Sequence, residues 1–127
     1  LLVDDPTAGL DPEERMRFKV LISKLKKDRI IIISTHITDD VDALCDHVIV
    51  LANGTIKGTF TLQEIKNQAQ GKVFILPEKE ALQAGEIIKT FEHDGTQYAR
   101  VLSSNPLDYP QDEPTVEDGY LGVVKDI

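Results

Sequence analysis

Apolar and polar positions follow one another along the chain in blocks that predict strands and helices. Residues 1–3 are apolar and predict the end of a buried strand. Four consecutive isoleucines within residues 29–34 predict a parallel strand that is covered on both faces. Between these runs, apolar side chains recur near helical spacing at Met16, Val20 and Leu25, which predicts a helix to about residue 27. Strand, helix and strand in this order predict a right-handed βαβ unit.

Capping residues indicate where the helices begin. Asp11, followed by a glutamate three residues later, has the capping-box spacing and predicts the start of the first helix. Thr38 is expected to cap a second, short helix that runs to about Cys45. Thr61 repeats the capping-box spacing before a third short helix, and Thr115 is the predicted cap of the last helix.

The rest of the chain predicts short strands and a domain boundary. Asn53-Gly54 is typical of a two-residue turn and predicts a hairpin of strands 47–51 and 55–59. Composition shifts near residues 67–71, and we expect a boundary there. The elements predicted beyond it are strands 72–76, 86–92 and 97–103, a short helix at 77–83 and the final helix.

Charge and composition limit the possible functions. The 127 residues carry a net charge of −8, and residues 61–127 hold 12 acidic but only 6 basic side chains. Such a surface repels phosphate backbones, so nucleic-acid binding is disfavoured. The one cysteine, Cys45, cannot form an internal disulfide and fits a small core residue in a reducing cytoplasm. The chain starts without Met inside a predicted strand, so we expect it to be part of a longer protein.

Two acids and a histidine are predicted at one edge of the sheet. Asp4 and Asp5 follow the first strand, and His36 follows the second. Ligands of open α/β sheets bind at the carboxyl ends of strands. There Asp4 can hold Mg²⁺, Asp5 can polarise a water that attacks a phosphoryl group, and His36 can contact the same phosphate. The simpler interpretation of the acidic pair, as a turn opener before Pro6, stays open at this point.

A second acidic group follows His36 on the predicted short helix. These carboxylates alternate with apolar positions, so a solvated acidic face is a better interpretation than a metal cluster. The group consists of Asp39, Asp40, Asp42 and Asp46.

Two runs of residues resemble one protein family. The first run, LLVDDPTAGLDPEER, resembles the Walker B strand and D-loop of ATP-binding cassette (ABC) transporter ATPases. The second, IIISTHITDDVDALCDHVIVLANGTI, is similar to their switch-histidine strand and the strands after it. The resemblance implies ATP and Mg²⁺ as cofactors, with Asp4 as the Mg²⁺-organising acid, Asp5 as the water-positioning acid and His36 as the γ-phosphate switch. Asp11 would belong to the nucleotide-site loop that contacts the partner domain.

The resemblance also implies a fold and partners. The fold class would be α/β, with an incomplete P-loop NTPase-type parallel sheet (a βαβ unit plus a hairpin) followed by a small α+β accessory domain. Residues 1–69 would be the C-terminal part of the nucleotide-binding domain, and residues 70–127 the accessory domain. The implied partners are a second nucleotide-binding domain and a transmembrane permease, which would hold the protein at the cytoplasmic face of the plasma membrane. The final segment, PTVEDGYLGVVKDI, resembles ABC-2-type exporters and favours export of a drug or peptide.

Two departures from the family pattern change the expected activity. The family usually has Glu at the position of Asp5, so hydrolysis is expected to be weak with ATP binding kept in the intact protein. The chain also contains no GxxxxGK[ST] phosphate loop and no signature motif. We therefore expect these residues alone to be inactive as an ATPase. Parallel strands without neighbours also predict self-association through strand edges.

Two alternatives come from other functional classes. A response-regulator receiver domain also begins with a strand that ends in paired acids, but it needs a phosphoacceptor aspartate within about residues 47–53. That segment, HVIVLAN, contains none. The other alternative is a non-catalytic interaction module in which Asp5 marks a degenerate site.

Overall fold

The computed structural model describes residues 1–127 as a mixed α/β chain with small sheets. It contains two compact units, Leu1–Asp46 and His47–Ile127. This division lies earlier in the chain than the boundary predicted near residues 67–71, and the assignment of residues 1–69 to one functional domain stays a prediction. The elements in chain order are β1 (Leu2–Asp4), α1 (Pro12–Leu25), β2 (Ile32–Ser34), α2 (Thr38–Leu44), β3 (His47–Ala52), β4 (Thr55–Thr61), α3 (Leu62–Asn67), β5 (Val73–Pro77), α4 (Glu78–Ala81), β6 (Glu86–His93), β7 (Thr96–Leu102) and α5 (Val116–Lys125).

The first unit contains the predicted βαβ connection. Strands β1 and β2 pair in parallel, with Leu2 opposite Ile32 and Asp4 opposite Ser34, and α1 connects them. Helix α1 begins after Asp11 because the Asp11 side chain accepts a hydrogen bond from the Glu14 amide at 2.8 Å. The cap predicted from the sequence is therefore confirmed.

The predicted burial of the first unit is wrong in two places. Strand β2 begins at Ile32 and is not covered on both faces, because Ile30 is 82% exposed and Ile32 59% exposed. On α1, Met16 and Val20 are exposed, and Ile22 is buried instead. Isoleucine runs are typical of strands with helices on both faces, whereas this sheet has two strands and a single crossover helix.

Helix α2 begins without the predicted side-chain cap. Thr38 is its first residue, and the preceding cap position is occupied by Ile37, whose side chain cannot accept a hydrogen bond. The Ile37 amide instead donates to Thr35 Oγ1 at 3.0 Å. The turn between β2 and α2 is therefore held by a threonine three residues before the predicted cap.

The second unit opens with the predicted hairpin. Strands β3 and β4 pair antiparallel, and the turn residues Asn53 and Gly54 both have positive φ, 53° and 73°. Positive φ at both central residues is the requirement of the tight hairpin turn that Asn-Gly favours. Thr61 then caps α3 with a complete capping box, as predicted: the Thr61 side chain accepts from the Glu64 amide, and the Glu64 side chain accepts from the Thr61 amide.

The core of the second unit lies on a three-stranded antiparallel sheet with the order β5–β7–β6. Its largest buried side chains include Phe74, Leu76 and Val101, which pack in one cluster. The outer edge of β5 is paired with residues 110–112, because the Ile75 amide donates to the Pro110 carbonyl at 2.9 Å. A loop thus covers one edge of this sheet.

A buried ion pair joins the last helix to this sheet. Arg100 on β7 donates to both carboxylate oxygens of Asp118 on α5, at 3.0 and 2.5 Å. Arg100 is 6% exposed and Asp118 is fully buried. Asp118 also completes the capping box of α5 with Thr115. The hydrogen bonds that Arg100 donates to Asp118 and Asp112 raise the pKa of the guanidinium.

Gly119 allows α5 to approach α3 closely. A Cβ atom at residue 119 would overlap the backbone carbonyl of Ile65. Only glycine therefore fits at this contact. None of the helices combines the length and the apolar composition needed to span a bilayer.

Candidate functional site

The candidate site lies at the carboxyl ends of β1 and β2. Because the two strands are parallel, the residues that follow them meet at one edge of the small sheet. Asp4 is the last residue of β1, and its neighbour Asp5 donates its amide to the Ser34 carbonyl at 2.6 Å. His36 follows two residues after the end of β2. The predicted convergence of Asp4, Asp5 and His36 at one edge therefore exists in the structure.

Asp5 leaves the strand in a left-handed backbone conformation, with φ of 42°. Aspartate tolerates this region better than most residues, and such conformations often occur at functional sites. The turn that follows is closed by two backbone hydrogen bonds, from Ala8 to the Asp5 carbonyl at 3.2 Å and from Leu10 to the Thr7 carbonyl at 3.1 Å. Asp5 is thus the residue at which the strand becomes a tight loop.

The side chains of Asp5 and His36 contact each other. His36 Nδ1 lies 3.1 Å from Asp5 Oδ1, and the side chains are 78% and 41% exposed for His36 and Asp5, respectively. A carboxylate can only accept a hydrogen bond, so Nδ1 carries the proton in this contact. The contact is accessible to a ligand from solvent, and as an exposed pair it contributes little to folding stability.

Asp4 and Asp11 are both exposed, but Asp11 also has a structural role as a helix cap. Asp4 is exposed at the end of β1, where an oxygen ligand for a hard cation can be supplied. Asp11 is also exposed, but its carboxylate caps α1, and the hydrogen bonds from Glu14 lower its pKa. The turn of residues 5–10 lies between Asp11 and the end of β1. A role for Asp11 in contacting a partner domain stays a prediction.

A buried acid beside the site was misjudged from the sequence. The prediction that Asp40 lies on a solvated face is wrong, because it is 1% exposed. Its carboxylate accepts a hydrogen bond from Thr7 Oγ1, which is equally buried, and another from Arg15 Nη2 at 2.7 Å. The Arg15 side chain, 30% exposed, forms this ion pair from helix α1. One signal was present: Leu44, four residues after Asp40, places both on the same side of α2.

Several known proteins have sequences similar to this chain, and the alignments cover up to 65% of it. The match to the uncharacterized ABC transporter ATP-binding protein YxlF of Bacillus subtilis is 39% identical over 83 residues, 65% of this chain and 28% of that protein. The match to the energy-coupling factor transporter ATP-binding protein EcfA2 of Enterococcus faecalis is 42% identical over 72 residues, 55% of this chain and 25% of the relative. The match to human ATP-binding cassette sub-family A member 10 is 47% identical over 57 residues, 45% of this chain and 4% of the relative.

These relatives share one description. The curated homologues of the chain are ATP-binding proteins of ABC transporters, and the chain spans under a third of the length of each. No family model matches the chain.

Proposed function

We propose that the chain is the C-terminal part of the ATP-binding subunit of an ABC transporter and forms part of its ATP-hydrolysing site. The observation that carries the proposal is the contact between Asp5 and His36 at the ends of two parallel strands. The homologues supply the chemical context, since their names describe ATP-binding proteins. In this proposal, residues 1–69 belong to the nucleotide-binding domain and complete a P-loop-type sheet in the intact protein.

The residues at this edge fit a magnesium–nucleotide complex. Asp4 offers an exposed carboxylate, the ligand type that Mg²⁺ prefers, and would hold the ion directly or through water. Asp5 would position the attacking water, and His36 would donate a hydrogen bond to the γ-phosphate. When bound, Mg²⁺ neutralises charge on the phosphate oxygens and orients them. Asp11 and its loop would contact the nucleotide site across a dimer of such domains.

The protonation of His36 sets a condition for this role. Its Nδ1 proton is directed at Asp5 in the structure. To donate to a phosphate, His36 must either release Asp5 and use Nδ1 or carry a second proton on Nε2. Release would also free the Asp5 carboxylate to accept a proton from water. We expect the contact to break when nucleotide binds.

Replacing His36 by Ala should lower ATP turnover of the intact protein by about 10²-fold, because one donor to developing phosphate charge is lost. Steady-state phosphate release measures this. His47→Ala and His93→Ala are the matched controls, since both histidines lie in the second unit, outside Leu1–Asp46. Turnover of His36→Ala equal to that of these controls would rule out the proposed role of His36.

The 127 residues alone should not bind MgATP with micromolar affinity. The phosphate loop, whose backbone amides and lysine cradle the phosphates in this family, is not in the sequence. Isothermal titration of MgATP into the chain should therefore give only dilution heat, whereas the intact protein should bind. Micromolar binding by the chain alone would mean that its phosphate contacts are of another kind.

The transport partners are proposed from the same assignment. A second nucleotide-binding domain and a transmembrane permease would complete the transporter, and the permease would hold the protein at the cytoplasmic face of the plasma membrane. Export of a drug or peptide is supported by the resemblance of residues 114–127 to ABC-2-type exporters, and this segment contains the capped helix α5. The chain alone is expected to self-associate through the edges of the β1–β2 sheet.

Strand β3 does not have the features that a receiver domain requires at this position. A receiver needs a phosphoacceptor aspartate at the end of a parallel strand. Strand β3 ends at Ala52 and pairs antiparallel with β4. The interaction-module alternative differs from the proposal only in whether Asp5 still supports hydrolysis.

A further inference from the structure

We infer that Asp40 is a positioning residue that holds the loop of Asp5 in register with His36. Asp40 lies on α2, four residues after His36, and Thr7 lies two residues after Asp5. The hydrogen bond from Thr7 Oγ1 to Asp40 therefore joins the two segments that carry the proposed site. The expected effect on turnover rests on the proposed function, whereas the positioning of the Asp5 loop relative to His36 does not.

Burial makes this link the stronger of the two side-chain connections between the loop of Asp5 and the segment of His36. Thr7 and Asp40 are each 1% exposed, whereas the side chains of His36 and Asp5 are 78% and 41% exposed. An exposed pair is weakened by water and salt, whereas a buried hydrogen bond to a carboxylate is strong and costly to leave unmade. The position of Asp5 relative to His36 is thus set beneath the surface.

Arg15 supplies the charge that allows Asp40 to be buried as a carboxylate. Its Nη2 atom donates to Asp40 Oδ1 at 2.7 Å, and the Arg15 side chain remains 30% exposed. Thr7 contacts the other oxygen, Oδ2. With one oxygen bound to α1 and one bound to the loop, Asp40 fixes three segments: the start of α1, the loop of residues 5–10 and α2.

Loss of this link would change the distance between Asp5 and the phosphate of the nucleotide. A displacement of about 1 Å between a water-positioning acid and the phosphate can lower a catalytic step by about 10²-fold. Asp40 and Thr7 do not need to touch nucleotide for this effect. We therefore expect their loss to reduce kcat and to leave the KM for MgATP nearly unchanged.

The test uses the intact ATP-binding protein and two matched pairs of variants. Thr7→Val removes the hydroxyl and keeps the shape, and Thr7→Ser restores the hydroxyl. Asp40→Asn removes the buried charge, and Asp39→Asn makes the same change at the exposed neighbouring residue. Three quantities are measured: kcat and KM for MgATP, and the NMR resonances of the His36 ring in the nucleotide-free protein.

Thr7→Val and Asp40→Asn should each lower kcat by about 10²-fold, change KM by less than about threefold and shift the His36 resonances. Thr7→Ser and Asp39→Asn should match the wild type in all three. If Asp40→Asn fails to fold, Thr7→Val decides, because it leaves the Arg15–Asp40 ion pair in place.

The outcomes separate this inference from the proposed function. Folded Thr7→Val with wild-type kcat and wild-type His36 resonances would overturn the inference and leave the proposed function standing. A wild-type protein that does not hydrolyse ATP would overturn the proposed function. The His36 resonances in the four variants would then still decide whether Asp40 positions the two segments.

Discussion

Replacing Asp5 by Glu should, under the proposed function, raise the ATPase kcat of the intact protein by up to about 10²-fold. Aspartate is one methylene shorter than the glutamate that is usual at this position in the family that the sequence resembles. Under the proposed function, its carboxylate would end about one carbon–carbon bond short of the place where the attacking water would be held, and misplacement by that distance costs about 10²-fold. The structure shows the shorter side chain in contact with His36, at 3.1 Å.

The binding of nucleotide should change little in the same variant. Asp5 acts on water in this account and not on the nucleotide, so the KM for MgATP is expected to stay within about threefold. Asp5→Asn is the matched control, because it keeps the length of aspartate and removes the charge. It should lower kcat below that of the wild type. An Asp5→Glu protein that hydrolyses ATP no faster than the wild type would show that Asp5 is not the water-positioning acid.

Replacing Arg100 by Met should destabilise the second unit by about 3–5 kcal/mol. The substitution leaves the Asp118 carboxylate buried without its guanidinium partner. Arg100 also donates to Asp112 at 2.5 Å and to the Glu113 carbonyl at 2.9 Å, so the loop before α5 loses its attachment to β7 as well. Removal of one member of a buried ion pair is costly because the other charge stays desolvated.

Urea unfolding followed by circular dichroism measures this loss. Lys89→Met is the matched control: Lys89 is opposite Arg100 in the sheet but is exposed. It should shift the free energy of unfolding by less than about 0.5 kcal/mol. The free energy of unfolding of Arg100→Lys should lie between those of Arg100→Met and Lys89→Met, because lysine keeps the charge without the planar fork of donors. Equal midpoints for Arg100→Met and Lys89→Met would contradict the account of the buried pair.

The same network predicts a sensitivity to acid. The hydrogen bond from Arg100 lowers the pKa of Asp112 in the folded chain. A lowered pKa means that Asp112 contributes stability fully above its ordinary pKa of about 3.9, and that the contribution is lost as the pH falls further. The loss of stability below about pH 4 should therefore be smaller in Arg100→Met than in the wild type.

Most features that depend on neighbours in the sequence were predictable, although the cap predicted at Thr38 is absent. The caps at Asp11, Thr61 and Thr115 and the turn at Asn53-Gly54 are present as expected. Each is decided within a few residues by a side-chain hydrogen bond or by a backbone angle that the residue type favours. The parallel pairing of β1 and β2 was also predictable from the sequence, because a helix between two short apolar runs is typical of a βαβ unit.

Features that depend on what covers a surface were not predictable. The isoleucines of residues 30–33 indicate a strand with two covered faces, yet Ile30 and Ile32 are exposed, because the sheet has only two strands. The composition of a strand reports the environment for which its side chains are suited, and the neighbouring elements decide whether that environment is present.

The candidate site was predictable where its residues follow strands, but not where burial depends on residues distant in the sequence. Asp4, Asp5 and His36 follow strands, so the order of elements was enough to place them at one edge. Asp40 was not recognised because its burial depends on Thr7 and Arg15, which are 33 and 25 residues away in the sequence. An acidic residue among other acids on a short helix indicates solvent exposure, and only the tertiary contacts show otherwise.

Paramagnetic relaxation by MnATP in the intact protein tests the central claim most directly. Mn²⁺ replaces Mg²⁺ at sites of oxygen ligands and broadens the NMR signals of nearby residues. We predict broadening centred on Asp4, Asp5 and His36, and loss of the effect at this edge in Asp4→Asn. MnATP that binds without broadening these three residues would contradict the assignment of this edge as part of the ATP site.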